Sequence, residues 1–223
     1  MNELFGVFYT GAFTNAFSTA FFALDTFAAI AFATTGALVA SRKQLDLLGF
    51  IWFAFITGVG GGTVRDVILD QPVFWLQNHI PVYACIIMAL LAFVFASRLE
   101  SRFKWLLWAD ALGMAIVTVA GVSKSLELGT GSLIAIIMGV TTASVGGIIR
   151  DTIGQEKSVI LRREIYVAAS ALGAIIMVAL ISLQVDHLLA AIAGLLSALI
   201  LRLVSVRYNW AIPRYKPRAE TEH

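Results

Sequence analysis

Seven stretches of this chain, roughly 20–40, 46–69, 80–97, 105–122, 131–153, 164–183 and 187–205, are apolar almost throughout. A bilayer core takes about 20 such residues in helix, at ~1.5 Å rise each. Lipid offers no partner to a backbone amide, so stretches of this kind span as helices. The sequence therefore predicts an all-α integral membrane protein of seven transmembrane helices. Composition agrees, with 59% hydrophobic and 13% charged residues and a mean hydropathy of +0.87, where ordinary globular domains carry about 25% charged residues. That balance excludes a soluble enzyme, a nucleic-acid binder and a disordered chain.

The connectors are short and leave no room for an extramembrane domain. Residues 1–19 are apolar and aromatic but too few for a further span, and are expected as an extended or interfacial lead-in, with a re-entrant element as the alternative. Residues 206–223 are expected as a cytoplasmic tail. No Lys or Arg precedes the first apolar stretch, so no cleaved signal peptide is expected. The single cysteine, Cys85, lies inside an apolar run and reads as a small buried hydrophobe.

Lys and Arg are distributed unevenly between the two sets of connectors. Fourteen of the 16 fall on one side, including Arg42, Arg98, Arg150, Arg162, Arg202 and Arg207; only Arg65 and Lys124 fall on the other. Basic residues mark the cytoplasmic side. The N-terminus is therefore expected outside and the C-terminus in the cytoplasm, in a plasma or inner membrane.

Two pieces of sequence repeat each other. Gly60-Gly61-Gly62-Thr63-Val64-Arg65-Asp66 matches Val145-Gly146-Gly147-Ile148-Ile149-Arg150-Asp151 at an offset of 85, and the same offset sets Asp25 on Asp110 and Gly36 on Gly121. Three spans per copy is an odd number, so the copies face opposite ways. The predicted architecture is an inverted 3+3 repeat, residues 20–104 against 105–186, with a seventh helix at 187–205. Solute sites gather where such halves meet.

The glycines come first as candidates. Each costs a helix about 1 kcal/mol relative to alanine, so Gly60, Gly61 and Gly62 in the second span and Gly146 and Gly147 in the fifth predict kinked or unwound helices lining a wet path. The plainer alternative is close helix packing, since Gly58 and Gly62 also fit a small-xxx-small interface. Arg65, Asp66, Arg150 and Asp151 are ionisable groups inside spans, which face a bundle interior or a water path. Adjacent helix residues do not face each other. Each charge therefore needs a partner elsewhere, and symmetry offers Arg65 with Asp151 or Arg150 with Asp66 as candidates, lining the path or clasping the structure beside it, with snorkelling to the interfaces as the alternative.

Asp25 and Asp110 open spans one and four. They read either as helix N-terminal charges or as carboxylates at pore mouths. Lys124 reads as a snorkelling end residue or, more sharply, as a gating charge; its counterpart in the first copy is Val39. Hydroxyls such as Thr34, Thr35, Thr118, Thr142 and Ser144 line a wet path or bond their own helix backbone. No hydrolase, metalloprotease or phosphate-binding motif is present, and His79 and His187 have no metal-ligand spacing. No enzyme activity, cofactor or metal is expected.

The doubled Gly-Gly-x-x-Arg-Asp pattern across seven spans resembles the prokaryotic trimeric intracellular cation (TRIC) channel family, over residues 20–205. The resemblance implies a homotrimer with one pore per subunit, glycine-kinked second and fifth helices, permeation of monovalent cations, chiefly potassium, and contact with membrane lipid. By position it carries the kinks to Gly60–Gly62 and Gly146–Gly147. It carries the charged pairs to Arg65/Asp66 and Arg150/Asp151. Val145 departs from the pattern where the first copy has Gly60, and the lysine-rich phosphoinositide motif of animal members has no match. The resemblance also implies an alternative, a secondary transporter for a small solute such as glycine.

Overall fold

The computed structural model describes residues 2–96, 102–156, 165–208 and 210. Among them are eight helices: α1 (Asn2–Arg42), α2 (Leu47–Ile68), α3 (Phe74–Gln77), α4 (Ile80–Phe95), α5 (Arg102–Glu127), α6 (Ser132–Ile153), α7 (Val167–Ser182) and α8 (His187–Tyr208). Five stretches are long and apolar enough to cross a membrane: Phe22–Arg42 of α1, and α2, Trp105–Glu127 of α5, α6 and α8. The apolar helices α4 and α7 have 16 residues each. At ~1.5 Å per residue each is about 24 Å long, short of a core roughly 30 Å thick. The residues expected as an extended lead-in are instead helical and continuous with α1. The tail at 211–223 lies outside the described residues.

Packing is inverted relative to a soluble bundle. The interior is built from small side chains, with Ala29, Ala33, Ala37, Ala54, Ala111, Ala115 and Ala143 all fully buried. Large apolar side chains such as Leu48, Trp52, Ile87, Leu133 and Ile200 are exposed. Small residues let helix backbones approach closely where lipid, not water, covers the outside.

The two halves match in detail at the offset of 85. Helix α2 and helix α6 share their bounds at that offset. The chain turns through positive φ at Gln44 and Gly129, and again at Asp70 and Gln155, which are the same two positions in each half. Gly36 packs on the Phe53 carbonyl and the Thr57 hydroxyl; Gly121 packs on the Met138 carbonyl and the Thr142 hydroxyl.

Neither glycine-rich helix unwinds. Helix α2 runs unbroken through Gly60–Gly62, and α6 through Gly146–Gly147. The expected stretch of freed carbonyls is therefore absent from both helices. The reason is contact with the facing helix. A Cβ on Gly61 would collide with the Thr142 carbonyl oxygen, and a Cβ on Gly146 would sit 2.9 Å from the Thr57 carbonyl oxygen. The glycines let α2 and α6 touch backbone to backbone, and that packing offsets their intrinsic helix cost.

Candidate functional site

Each half buries one arginine near the C-terminal end of its glycine-rich helix. The Arg65 side chain is fully buried, as is that of Asp66 beside it. Its Nη1 and Nη2 donate to the two oxygens of Asp25 at 2.7 and 2.8 Å, while Nε donates to Asp66 Oδ1 at 2.9 Å. This is the bidentate fork that a guanidinium makes with a carboxylate. Asp66 also accepts the Phe74 backbone N–H at 2.9 Å and the Lys124 ammonium at 2.7 Å. Arg65, Asp25, Asp66 and Lys124 thus form a neutral set of two cations and two anions.

The second clasp repeats the first with different surroundings. Arg150 Nη1 donates to Asp110 at 2.8 Å and to the Thr35 hydroxyl at 2.9 Å, and Nε donates to Asp151 at 2.9 Å. Where the first clasp has Lys124, this half has buried Val39. A second basic residue comes from another helix. Arg202 of α8 is buried and lies over the Tyr166 ring at 5.0 Å. The Tyr166 hydroxyl donates to the Ala143 carbonyl of α6 at 3.0 Å.

The clasps lie at different depths. Asp25 and Thr35 are ten residues apart on α1, about 15 Å along its axis. The Gly61–Gly146 crossing joins the two helices that carry them.

These pairings correct the sequence expectation. Arg65 does not meet Asp151, nor Arg150 Asp66; the ion pairs of each arginine are with carboxylates of its own half. Sequence neighbours do bond, because the long arginine side chain folds back so that Nε reaches the adjacent carboxylate while the fork reaches another helix. Asp25 does not open a helix, since α1 starts at Asn2, and it is an ion-pair partner rather than a cap. Nor do the arginines snorkel, being almost fully buried. Thr34, Thr118 and Thr142 bond carbonyls of their own helices, as does Thr35 beyond its bond to Arg150. Ser123 lies 3.2 Å from the His187 ring.

Arg202 and Tyr166 are absent from the sequence-derived site. A signal existed for Arg202: it is the one charged residue between Leu188 and Val206, and a charge at that depth requires a partner. Among the described residues no group of three or more His, Cys, Asp or Glu is placed to hold a metal ion.

Fold and site define an all-helical membrane protein with two related halves, each holding a buried arginine–carboxylate clasp at a glycine-mediated helix crossing. The sequence model of the family described as "Glycine transporter" matches this chain twice, over residues 22–97 and 107–182, again at an offset of 85. The chain belongs to this family. Its relatives include the UPF0126 inner membrane protein YadS of Escherichia coli K12, 35% identical over 195 residues covering 86% of this chain and 94% of the relative. A UPF0126 membrane protein of Vibrio cholerae is 34% identical over 86% of this chain and 81% of its own length. Among solved structures, the TRIC trimeric intracellular cation channel orthologue from Rhodobacter sphaeroides is 45% identical with a TM-score of 0.83, covering 86% of this chain and 99% of that one. A structure described under conductance through TRIC cation channels is 31% identical with a TM-score of 0.79, covering 88% and 97%. The resemblance to TRIC channels extends over more than four fifths of the chain.

Proposed function

We propose that the protein conducts monovalent cations, potassium foremost, through a pore inside each subunit of a homotrimer. One observation carries this reading: two buried arginine clasps bracket the Gly61–Gly146 crossing, in a fold shared at 45% identity with a TRIC cation channel orthologue. Ions pass between the halves beside Gly60–Gly62 and Gly146–Gly147, and the carboxylates offset the buried basic charge along the way. Seven spans, α1, α2 and α4–α8, form an inverted 3+3 repeat plus α8. The N-terminus is outside and the C-terminus cytoplasmic, in the inner membrane where the name of the Escherichia coli relative puts that protein. The protein is a channel and not an enzyme.

Lys124 is the movable member of the first clasp. Its side chain is 20% exposed while its partner Asp66 is fully buried. When it leaves, Asp66 keeps its hydrogen bonds to Arg65 and the Phe74 amide, and Arg65 is left facing two carboxylates, a net negative charge that a cation can offset. This makes the Lys124–Asp66 pair a gate. The second clasp has Val39 in that place and serves as a permanent fastening.

The family description favours a second reading, a secondary carrier for glycine or another small zwitterion. Unbroken α2 and α6 remove the half-helix ends that would have held such a solute at the glycines. Proteoliposomes loaded with potassium distinguish the two. The channel reading expects protein-dependent potassium efflux without a chemical partner; potassium-tight vesicles that accumulate glycine saturably would establish the carrier.

A further inference from the structure

The segment joining α2 to α4 is tied back onto α2 at two places, Asp66 and Thr63. Asp70 turns the chain at positive φ, and the residues after it return along the end of α2. The Gln71 N–H donates to the Asp66 carbonyl at 2.8 Å, and the Phe74 N–H donates to Asp66 Oδ2 at 2.9 Å. The buried Phe74 ring packs on Gly62, where an added Cβ would stand 2.7 Å from it. Trp75 follows and is half-buried. Its indole N–H donates to the Thr63 hydroxyl at 2.9 Å, and its ring meets Phe55 edge-on at 5.4 Å. Thr63 in turn donates to the Val59 carbonyl at 2.8 Å, which leaves its oxygen lone pairs for the indole.

The two oxygens of Asp66 have different partners. Oδ1 accepts from Arg65 and from Lys124, whereas Oδ2 accepts from the Phe74 amide. A carboxylate turns easily about its last side-chain bond, so the bond at Oδ2 sets the direction in which Oδ1 faces the lysine. That amide is backbone, and its position is the position of the whole segment. The Trp75–Thr63 bond fixes the segment one residue further on. In the second half Ile148 stands in the place of Thr63, and Val39 in the place of Lys124. An isoleucine side chain accepts no hydrogen bond, so the Trp75–Thr63 tie belongs to the half that carries the movable lysine.

We propose that Trp75 and Thr63 are positioning residues for the Lys124–Asp66 gate. Their hydrogen bond holds the α2–α4 segment so that the Phe74 amide keeps Asp66 turned toward Lys124, and its loss favours the open state. This role rests on the channel reading and its Lys124 gate. Trp75 acts through the Phe74 amide, and Thr63 acts through Trp75.

The test is single-channel recording of the full chain in planar bilayers under one potassium gradient. Trp75→Phe keeps a ring against Phe55 and loses the N–H; Thr63→Val keeps the shape and loses the acceptor. Each is expected to raise the ratio of open to closed time about two- to tenfold, the worth of one neutral hydrogen bond. Thr63→Ser, which retains the hydroxyl, is expected to restore wild-type gating. A tie that serves the fold alone would lower the melting temperature and leave the ratio unmoved. In a Lys124→Gln background Trp75→Phe is expected to add nothing, because the pair it positions is already gone. Unchanged ratios in folded Trp75→Phe and Thr63→Val, or the same increase with and without Lys124, would overturn the assignment. If Trp75→Phe does not fold, Thr63→Val decides the matter. A wild-type protein that passes no potassium would contradict the channel reading and this role with it, whereas an active wild type with unmoved variants would contradict this role alone.

Discussion

Gly61 and Gly146 stand in reciprocal contact: the space for a Cβ on Gly61 is taken by the Thr142 carbonyl oxygen, and that on Gly146 lies 2.9 Å from the Thr57 carbonyl oxygen. Backbone cannot yield as a side-chain tip can. Gly61→Ala should therefore destabilise the fold by about 1–3 kcal/mol. Gly60 differs, because its added Cβ would meet only the terminal methyl of Ile149, at 3.0 Å. Gly60→Ala should be neutral or recover part of the ~1 kcal/mol that glycine costs a helix. Thermal unfolding of both variants in one detergent checks the pair; equal melting temperatures would refute the crossing.

Removing Asp25 or Asp110 leaves a buried arginine short of its main interhelical partner. Asp25→Asn and Asp110→Asn should each cost about 3–5 kcal/mol, seen as a lowered melting temperature and aggregation on extraction. Arg65→Lys should not substitute, since an ammonium cannot span both Asp25 oxygens. Replacing Arg65 and Asp25 together by apolar residues should cost less than the sum of the single changes.

Neighbouring threonines on α1 should behave differently. Thr35 accepts from Arg150 at 2.9 Å, whereas the Thr34 hydroxyl bonds only the Ile30 carbonyl of its own helix among the described contacts. Thr35→Val should cost about 1–3 kcal/mol by leaving a buried donor unmet, while Thr34→Val should change stability little. Chemical or thermal unfolding of the two variants side by side is sufficient to test this.

Most of the charged residues that form the two clasps were legible in the sequence as costly residues, and their geometry only in part. Gly61, Arg65, Asp66 and their copies 85 residues on stand out because glycines and charges are costly at bilayer depth. The partner of each arginine was not legible. Helix geometry separates adjacent residues, which argues against Arg65 with Asp66, yet a guanidinium long enough to fold back reaches Asp66 and Asp25 together. The glycines were legible as a local cost to a helix, but the facing Thr142 carbonyl that their packing meets lies on another helix and was not. Arg202 counts toward topology in a tally of basic residues, although it is buried over Tyr166.

Opening of the gate should be separable from the fastening of the fold. Lys124→Gln removes the partly exposed member of a cluster whose buried members remain bonded. It should raise open probability with little loss of thermal stability. Single-channel recording and a melting curve on the same preparation check both halves of that statement.

The most direct test of cation conduction is the reversal potential of the purified wild-type protein in a planar bilayer separating two potassium chloride concentrations. Discrete openings that reverse near the potassium equilibrium potential are predicted. Reversal near the chloride potential, or a silent bilayer in which insertion has been verified, would contradict the account.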